Sequence, residues 1–197
     1  ETLLLAYRSG IFPMSDARDD TEIFWVEPRE RAIIPLDRFR PSRSLAKVLR
    51  QDRYRVTCNA DFAGVVRACA APRPDHPDTW INRTIEASYL ALHQAGHAHS
   101  LECWRDGEMV GGLYGVSVNR AFCGESMFST ADNASKVALA WLVAPRLADH
   151  LDGPDATARS LLISLTAGLL AGIPALKVSH SASITNSMSR FFSVSSL

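Results

Sequence analysis

The chain has 197 residues, and its 21 Lys or Arg balance 21 Asp or Glu, so its formal net charge is zero. This length accommodates one sizeable core, or one domain with a small lobe. A neutral chain has no global field that draws it onto nucleic acid, so any such contact must come from a local patch. Its four Cys residues lack Cys-x-x-Cys spacing, which favours reduced, buried thiols over a disulfide framework or a zinc site.

The N-terminal part predicts a small lobe over residues 1–41. A helix is expected over residues 2–9, ended by Gly10. An apolar turn is expected next, followed by two short strands over 23–26 and 31–34. Because the chain opens inside a helix, we also expect the natural start of the protein to lie upstream of Glu1.

A helix with one basic face is predicted after Ser42. Arg43, Lys47 and Arg50 recur at helical spacing, on a face separate from the apolar residues. The segment 38–55 holds seven Arg or Lys and one acidic residue. Two interpretations stay open, a solvated helix face or a surface that contacts nucleic-acid phosphates.

The elements that follow are a strand, a helix, a Pro-rich loop, a longer helix, a three-stranded meander and a final helix. Their expected ranges are 54–58, 61–70, 72–78, 80–95, 98–105, 109–118, 120–129 and 133–143. Thr79 is expected to cap the longer helix, and Asn133 the final one. These elements follow a plausible junction between the lobe and the rest of the chain at residues 35–41.

The C-terminal segment, residues 151–197, changes in composition. No Asp or Glu follows Asp155. Its apolar run is marginal against the roughly 20 residues that a membrane-spanning helix needs. We expect a divergent tail, disordered or aberrant, for example from a change of reading frame, rather than a membrane anchor.

One carboxylate interrupts the apolar third strand of the meander. Glu125 is flanked by Gly124 and Ser126, and Phe122 and Met127 lie close by in the sequence. Burying an unpaired charge is costly. Glu125 therefore pairs with a neighbouring Arg, points to solvent, or faces a site, and the residues alone leave these alternatives open.

The predicted start of the final helix has two alternative interpretations. Free backbone N–H groups with Ser135 and Lys136 form an anion site, directly after the Glu125 strand. A plain helix cap explains the same residues equally well.

Three histidines invite a metal interpretation. His93 and His97 have helical spacing, but Gly96 ends the helix between them, and no carboxylate motif accompanies them or His99. Surface and helix-end histidines are therefore the expectation.

Several motifs in one order carry a family resemblance. They are Gly-Ile-Phe-Pro-Met (10–14), Thr-Trp-Ile (79–81), Gly-His-Ala-His-Ser (96–100), Val-Gly-Gly-Leu-Tyr-Gly-Val (110–116), Phe-Cys-Gly-Glu-Ser-Met-Phe-Ser (122–129) and Asn-Ala-Ser-Lys (133–136). Through them, residues 1 to about 144 resemble the leucyl/phenylalanyl-tRNA–protein transferases. The resemblance implies an α+β (mixed α/β) fold. It implies a GNAT-like transferase domain over residues 42–150, with a mostly antiparallel sheet flanked by helices and preceded by the N-terminal lobe.

The resemblance also implies an activity. Such proteins transfer leucine or phenylalanine from aminoacyl-tRNA to the N-terminal Arg or Lys of acceptor proteins, which marks these for degradation by the N-end rule. It implies a cytoplasmic monomer that is not associated with a membrane and requires no cofactor, ATP or metal. Two alternatives stay open, a catalytically impaired tRNA-binding remnant of the family and an acyl-CoA N-acetyltransferase on the same fold.

The resemblance finally implies a set of site residues. Glu125 is expected to be catalytic and to orient an amino group of one substrate. The expected substrate-binding residues are Trp25, Trp80, Leu113, Phe122, Gly124, Ser126 and Met127. The expected contacts to tRNA phosphates are Arg43, Lys47, Arg50 and Lys136. The family's Asp-x-Gln strand is matched only by Asp155, because Thr157 stands at the Gln position, so that role is not carried over.

Overall fold

The computed structural model describes residues 1–36, 38–72, 78–119, 121–143, 162–165 and 179–180. Its helices are α1 (Thr2–Arg8), α2 (Arg43–Arg50), α3 (Phe62–Ala70), α4 (Arg83–Gln94) and α5 (Ala134–Val143). Its strands are β1 (Phe12–Met14), β2 (Phe24–Val26), β3 (Ala32–Pro35), β4 (Arg55–Cys58), β5 (Ala98–Arg105), β6 (Glu108–Val118), β7 (Ala121–Ser129), β8 (Leu162–Leu165) and β9 (Ser179–His180). The predicted Asp155 and Thr157, and most of the predicted Pro-rich loop, lie outside the described residues.

A seven-stranded sheet in the order β4-β5-β6-β7-β8-β3-β9 organises the fold. The predicted meander forms its centre, since β5, β6 and β7 pair antiparallel in sequence order. Only the contact between β7 and β8 is parallel among the described pairs. The prediction of a mixed α/β fold with a mostly antiparallel sheet flanked by helices is confirmed.

The two faces of the sheet bury separate cores. One face of the sheet, which we call the α5 face, packs against α2 and α5, and its core includes Leu101, Leu113 and Phe122. The opposite face, which we call the α4 face, packs against α3 and α4, and its core includes Tyr89 and Tyr114. Alternate residues of one strand point to opposite faces, so the register of β7 decides which core each of its side chains enters.

The N-terminal lobe differs from its prediction in two places. The segment after Gly10, expected as a turn, is the strand β1, which pairs with β2 and carries Pro13 opposite Trp25. Proline donates no backbone hydrogen bond and is confined to edge strands. Because a proline in a short segment argues against a strand, the sequence alone did not predict β1. The strand β3, expected within the lobe, belongs instead to the seven-stranded sheet, between β8 and β9.

The lobe is anchored on the start of α4. Arg18 donates to the carbonyl of Ile81 at 2.8 Å and forms an ion pair with Glu86. The buried Asn82 donates from its side-chain amide to the carbonyl of Asp20 at 2.9 Å. Asn82 also accepts from the backbone N–H of Ile85 at 2.8 Å, so it is the N-cap of α4. The expectation that Thr79 caps a helix from residue 80 was wrong, because Asn82 satisfies the first helical amides three residues later.

Capping residues stand at the starts of the predicted helices α2 and α3. Ser42 and Asp61 cap α2 and α3 through hydrogen bonds to the amides of Leu45 and Gly64. The four Cys residues are free, and all but Cys58 are buried. Among the described residues no helix has the length and apolarity needed to cross a membrane.

Candidate active site

A β-bulge sets the direction of the Glu125 side chain. Tyr114 of β6 pairs with Ser126, but the next residue, Gly115, pairs with Gly124, so β7 has one extra residue between them, Glu125. A bulge of this kind places consecutive residues on one face and re-aims a side chain. As a result Glu125 enters the core of the α4 face rather than the apolar core of the α5 face.

Two tyrosines hold the Glu125 carboxyl. The hydroxyl of Tyr89, on α4, donates to Oε2 of Glu125 at 3.0 Å. The hydroxyls of Tyr7, on α1, and Tyr89 are 2.7 Å apart. Glu125 and Tyr89 are fully buried, and Tyr7 is 5% exposed. A hydrogen-bonded chain thus runs from the N-terminal lobe through α4 to the central sheet, and sequence reasoning missed both tyrosines.

Burial raises the pKa of Glu125 to about 7, because it penalises the charged form of the carboxyl. Hydrogen bonds with Tyr7 and Tyr89 and the positive charge of Arg31 act in the opposite direction. The negative charge of Glu125 in turn raises the pKa values of Tyr7 and Tyr89, after the larger effect of their own burial. Both hydroxyls keep their protons near neutral pH, whereas Glu125 exchanges its proton there.

The raised pKa predicts a specific pH dependence of stability. In the unfolded chain Glu125 ionises near the usual pKa of such a carboxyl, 4.5, while in the folded protein it keeps its proton up to about pH 7. The folded state therefore binds more protons across this interval, and the contribution of Glu125 to stability, present below pH 4.5, is lost as the pH rises to 7. The loss is about 3 kcal/mol in total, since one pKa unit corresponds to about 1.4 kcal/mol.

The variant Glu125→Gln tests this expectation by urea unfolding at several pH values. Gln has no proton to lose, so its free energy of unfolding should decline less between pH 4.5 and 7 than that of the wild type. Identical pH profiles for the two proteins would show that Glu125 ionises normally in the folded state. The comparison removes the contributions of all other titrating groups, because these are common to both proteins.

The three apolar residues expected to bind substrate lie on the other side of the sheet from Glu125. Leu113, Phe122 and Met127 share the core of the α5 face, and each is at most 3% exposed. The structure therefore brings these three together, but it separates them from the Glu125 carboxyl by the thickness of the sheet. Gly124 is buried in the backbone of the bulge, and Ser126 is buried beside Tyr114.

The two tryptophans expected to bind substrate occupy different surroundings. Trp25 is 48% exposed on β2 and lines a cavity of about 450 Å³ between the lobe and α4. The cavity is largely apolar, with Leu3, Ile23 and Leu92 among its walls. Trp80 does not line it and instead packs partly buried against the core of the α4 face. The cavity and Glu125 both adjoin α1 and α4 but are not one enclosed space.

The predicted basic face is exposed. Arg43, Lys47 and Arg50 of α2 are all exposed, whereas Leu45 on the opposite side of the helix is buried. The ion pairs among the described residues lie elsewhere, on Arg18 and Arg83. This arrangement leaves the three cations available to an anionic partner and fits either of the two interpretations of the pattern.

The start of α5 is built differently from the prediction. Asn133 has a left-handed backbone with φ of 63°, and Ser129 rather than Asn133 accepts from the amide of Ser135, at 3.3 Å. The amide of Ala134 donates to the carbonyl of residue 131 at 3.2 Å. Two of the amides expected to bind an anion thus have partners within the chain. Lys136 is half-buried beside them.

The histidines also differ from their prediction in one case. His93 stacks on Phe62 with ring centroids 4.2 Å apart, at the end of α4. His99, expected near the surface, lies on β5 and is 4% exposed. Among the described residues no three His, Cys, Asp or Glu side chains come together as a metal site would require.

A second buried carboxylate was missed by sequence reasoning. Glu102 on β5 is fully buried. It accepts from the hydroxyls of Thr57 and Ser100 and from the backbone amide of Ala60. Its donors are all part of the chain, so its evident role is to fix the loop between β4 and α3. Glu125 and Glu102 thus form a natural pair for comparison.

The described geometry defines a mixed α/β domain with a buried, tyrosine-bound carboxyl on one face of its sheet and an exposed basic helix. Two sequence models of the leucyl/phenylalanyl-tRNA protein transferases match it. The model of the main domain matches residues 33–160, and that of the N-terminal domain matches residues 1–29. The chain belongs to the leucyl/phenylalanyl-tRNA protein transferase family.

Curated relatives agree with this assignment. The leucyl/phenylalanyl-tRNA–protein transferase of Novosphingobium aromaticivorans is 63% identical over 144 residues, which cover 73% of this chain and 55% of that protein. The protein of the same name from Rhizorhabdus wittichii is 60% identical over 144 residues, covering 73% of this chain and 58% of that protein. The chain therefore spans little more than half the length of these relatives.

Solved structures were also compared. A ribosomal-protein-alanine N-acetyltransferase from Brucella melitensis aligns with a TM-score of 0.41 at 16% identity, over 70% of this chain and 99% of that one. The structure of L-PGS from Bacillus licheniformis aligns with a TM-score of 0.42 at 15% identity, over 87% of this chain and 54% of that one. Scores at this level carry no argument about function.

Proposed function

We propose that this chain transfers leucine or phenylalanine from aminoacyl-tRNA to the N-terminal Arg or Lys of acceptor proteins. The single observation that carries the proposal is the family match, which runs through the main domain, residues 33–160, and includes Glu125. Location in the cytoplasm, a monomeric state and a role in marking proteins for degradation stay predictions from the resemblance.

The chemistry needs little beyond positioning. In the proposed reaction the acceptor amine attacks the ester carbonyl, a C–N bond forms, the ester C–O bond breaks, and the 3′-hydroxyl of the tRNA leaves with a proton. An aminoacyl ester is already activated, so the enzyme mainly holds ester and amine together and stabilises the developing oxyanion. No cofactor enters this balance.

Glu125 is the proposed catalytic group. A carboxyl with a pKa of about 7 is charged in a large fraction of molecules at neutral pH. In that form it accepts a hydrogen bond from an amino group of one substrate and so orients that group. The tyrosine hydroxyls fix the carboxyl in one direction, which supports orientation as its role rather than attack on the ester.

The apolar cluster of Leu113, Phe122 and Met127 is the proposed pocket for the leucine or phenylalanine side chain. Its members are aliphatic, aromatic and thioether groups, and methionine adapts to ligand shape. We propose further that Trp25 and Trp80 stack on the terminal adenosine, because an indole face stacks on any base. Gly124 and Ser126 complete the proposed substrate-binding set.

The exposed α2 face and Lys136 are the proposed contacts to tRNA phosphates. Replacing Arg43 and Lys47 together by Ala is expected to weaken tRNA binding and to lower the slope of log affinity against log salt by about 1–2, since each neutralised phosphate releases counterions. The measurement is a filter-binding titration at several salt concentrations. Replacing the equally exposed Arg8 and Arg67, on α1 and α3, serves as the charge-matched control. An unchanged slope in the α2 double variant would show that this face is only solvated and does not contact tRNA phosphates.

The activity is tested by incubating the chain with labelled leucyl-tRNA and a peptide that begins with Arg. Appearance of label in the peptide is the expected result. Salt-sensitive tRNA binding without transfer would favour the impaired remnant. Acetylation of the peptide from acetyl-CoA would instead favour the N-acetyltransferase and would refute the proposal.

A further inference from the structure

The cavity between the N-terminal lobe and α4 is apolar and open to solvent. Its volume is about 450 Å³, and its walls include Leu3 of α1, Pro13 of β1, Trp25 of β2 and Leu92 of α4. Trp25 and a further wall residue, Ala91, are both exposed. Ligand pockets typically have volumes of about 300–1,000 Å³ and mostly apolar walls. The cavity is therefore suited to bury an apolar side chain of a partner.

The cavity lies beside the tyrosines that hold Glu125. Ser88, on the cavity wall, directly precedes Tyr89 in α4. Leu3, also on the wall, is followed one helical turn later by Tyr7 in α1. The apolar walls belong to the core of the α4 face, which is the side of the sheet that the Glu125 carboxyl enters. A chain seated in the cavity thus ends close to the Tyr7–Tyr89 contact.

The lobe that forms one wall of the cavity is acidic. Residues 16–30 hold six Asp or Glu and two Arg. Glu22 and Glu27 are exposed on either side of β2, the strand whose Trp25 lines the cavity. Residues 38–55 have the opposite charge, with seven Arg or Lys and one acidic residue. A chain with no net charge therefore carries two surfaces of opposite sign.

These two surfaces match the two substrates of the proposed reaction. The tRNA is a polyanion and fits the basic α2 face. An acceptor that begins with Arg or Lys carries two positive charges on its first residue, one on the side chain and one on the α-ammonium group. An acidic surface attracts such a chain and repels tRNA phosphates. The charge of the lobe therefore favours the acceptor as the occupant of the cavity.

Trp25 is compatible with both substrates. In the proposed reaction the acceptor amine attacks an ester on the terminal ribose, so the acceptor and the terminal adenosine must meet. Trp25 lines the cavity and is still 48% exposed. A base that stacks on its exposed part does not need the cavity, so the two substrates can lie side by side there.

We propose that the lobe cavity binds an apolar side chain of the acceptor, one or two residues after its N-terminal Arg or Lys, while the acidic lobe attracts that basic residue. The inference rests on the proposed function for the identity of the acceptor. One helical turn, roughly 5.4 Å, separates the cavity wall from the tyrosine contact. An extended chain advances about 3.3–3.6 Å per residue, so one or two residues span this distance.

The test is the binding of fluorescent peptides to the full chain, measured by anisotropy in the absence of tRNA. One peptide begins with Arg-Phe-Phe, and the other begins with Arg-Ser-Ser and is otherwise identical. We expect the Arg-Phe-Phe peptide to bind about tenfold more tightly, because one of its aromatic side chains leaves water. Equal affinities of the wild type for the two peptides would overturn the proposal.

Ala91→Phe fills the cavity without removing a core side chain, because Ala91 is exposed on α4 and lines the cavity. We expect this variant to bind the Arg-Phe-Phe peptide about tenfold more weakly than the wild type, and the Arg-Ser-Ser peptide equally well. Ala87→Phe is the matched control, since Ala87 is also exposed on α4 but does not line the cavity. Wild-type affinities in Ala91→Phe, or the same loss in Ala87→Phe, would overturn the proposal.

Glu22→Lys tests the acidic lobe. We expect its affinity for the Arg-Phe-Phe peptide to fall about threefold at low salt and to approach the wild-type affinity at high salt, because exposed charges interact weakly and are screened. Glu108→Lys, an exposed position of β6, is the control for the change in net charge. An unchanged affinity in Glu22→Lys, or an equal loss in Glu108→Lys, would refute attraction by the acidic lobe.

Two further measurements separate this inference from the proposed function. Peptide binding as expected here, without transfer of leucine, would refute the proposed function alone. Transfer with the same KM for both peptides would refute this inference alone. Loss of leucyl-tRNA binding in Ala91→Phe, with peptide binding retained, would assign the cavity to the donor and overturn the proposal.

A second filling variant covers the case in which Ala91→Phe does not fold. Ser88 lines the cavity one turn earlier on α4, so Ser88→Phe is expected to weaken binding of the Arg-Phe-Phe peptide by a similar factor. An unchanged affinity in a folded Ser88→Phe protein would count against the cavity as the acceptor site.

Discussion

Phe122→Ala is expected to lower the free energy of unfolding by about 3–5 kcal/mol. The ring of Phe122 is fully buried in the core of the α5 face and fills the space above Gly115. Its removal leaves a cavity that the surrounding sheet and α5 cannot close, because protein cores are packed close to crystal density. Urea unfolding monitored by circular dichroism measures the loss.

Phe24→Ala is the matched control for this prediction. It makes the same substitution on β2, where the ring is 43% exposed, and is expected to cost less than about 1 kcal/mol. Comparable losses in the two variants would contradict the placement of Phe122 in the core. A large loss of unfolding free energy in Phe122→Ala would show that this side chain is tightly packed. A substrate pocket at this place could then open only by disrupting that packing.

Glu125→Gln is expected to reduce the rate of transfer by about 100-fold or more while the protein stays folded. Gln has the same shape but carries no charge, so it orients a substrate amino group less firmly, and a small misplacement of a reacting group can cost about 100-fold in rate. The measurement is single-turnover transfer of leucine from saturating leucyl-tRNA to an Arg peptide.

Glu102→Gln is the control for this substitution, because Glu102 is also fully buried. Its carboxylate accepts hydrogen bonds from Thr57, Ser100 and Ala60. The Glu102 variant should therefore lose stability and keep its transfer rate per folded molecule. Turnover near the wild-type rate in Glu125→Gln would remove Glu125 from the mechanism.

Local patterns were sufficient to predict most helices and strands. Ser42 and Asp61 each precede a helical run, and a short polar side chain at that position satisfies free amides wherever the helix later packs. The turn at Asp106 and Gly107 separates β5 from β6 for a similarly local reason, since both residues have positive φ values of 54° and 83°. Interactions between sequence neighbours determine these features.

The direction of the Glu125 side chain could not be predicted in this way. A shift of one residue moves a strand's side chains to the opposite face, and the bulge between Tyr114 and Gly115 introduces such a shift in the middle of β7. Phe122 and Met127 lie close to Glu125 in the sequence, and all three are expected to belong to one substrate site. The structure instead places the carboxyl on the α4 face and the two apolar side chains on the α5 face.

The partners of Glu125 are also beyond a sequence reading. Tyr89 is 36 residues away along the chain, and Tyr7 is a further 82 residues from Tyr89. Nothing local in α1 or α4 distinguishes these tyrosines from ordinary core residues. The apolar strand around it singled out Glu125, and the fold supplied the tyrosines that fix its carboxyl and the burial that raises its pKa.

The most direct test of the proposed function is the mass of a peptide that begins with Arg after incubation with leucyl-tRNA and the wild-type chain. The account predicts that the peptide gains one leucine at its N-terminus, and that the same peptide beginning with Asp stays unchanged. An Arg peptide of unchanged mass, with leucyl-tRNA bound and intact, would contradict the claim that this chain is an active transferase.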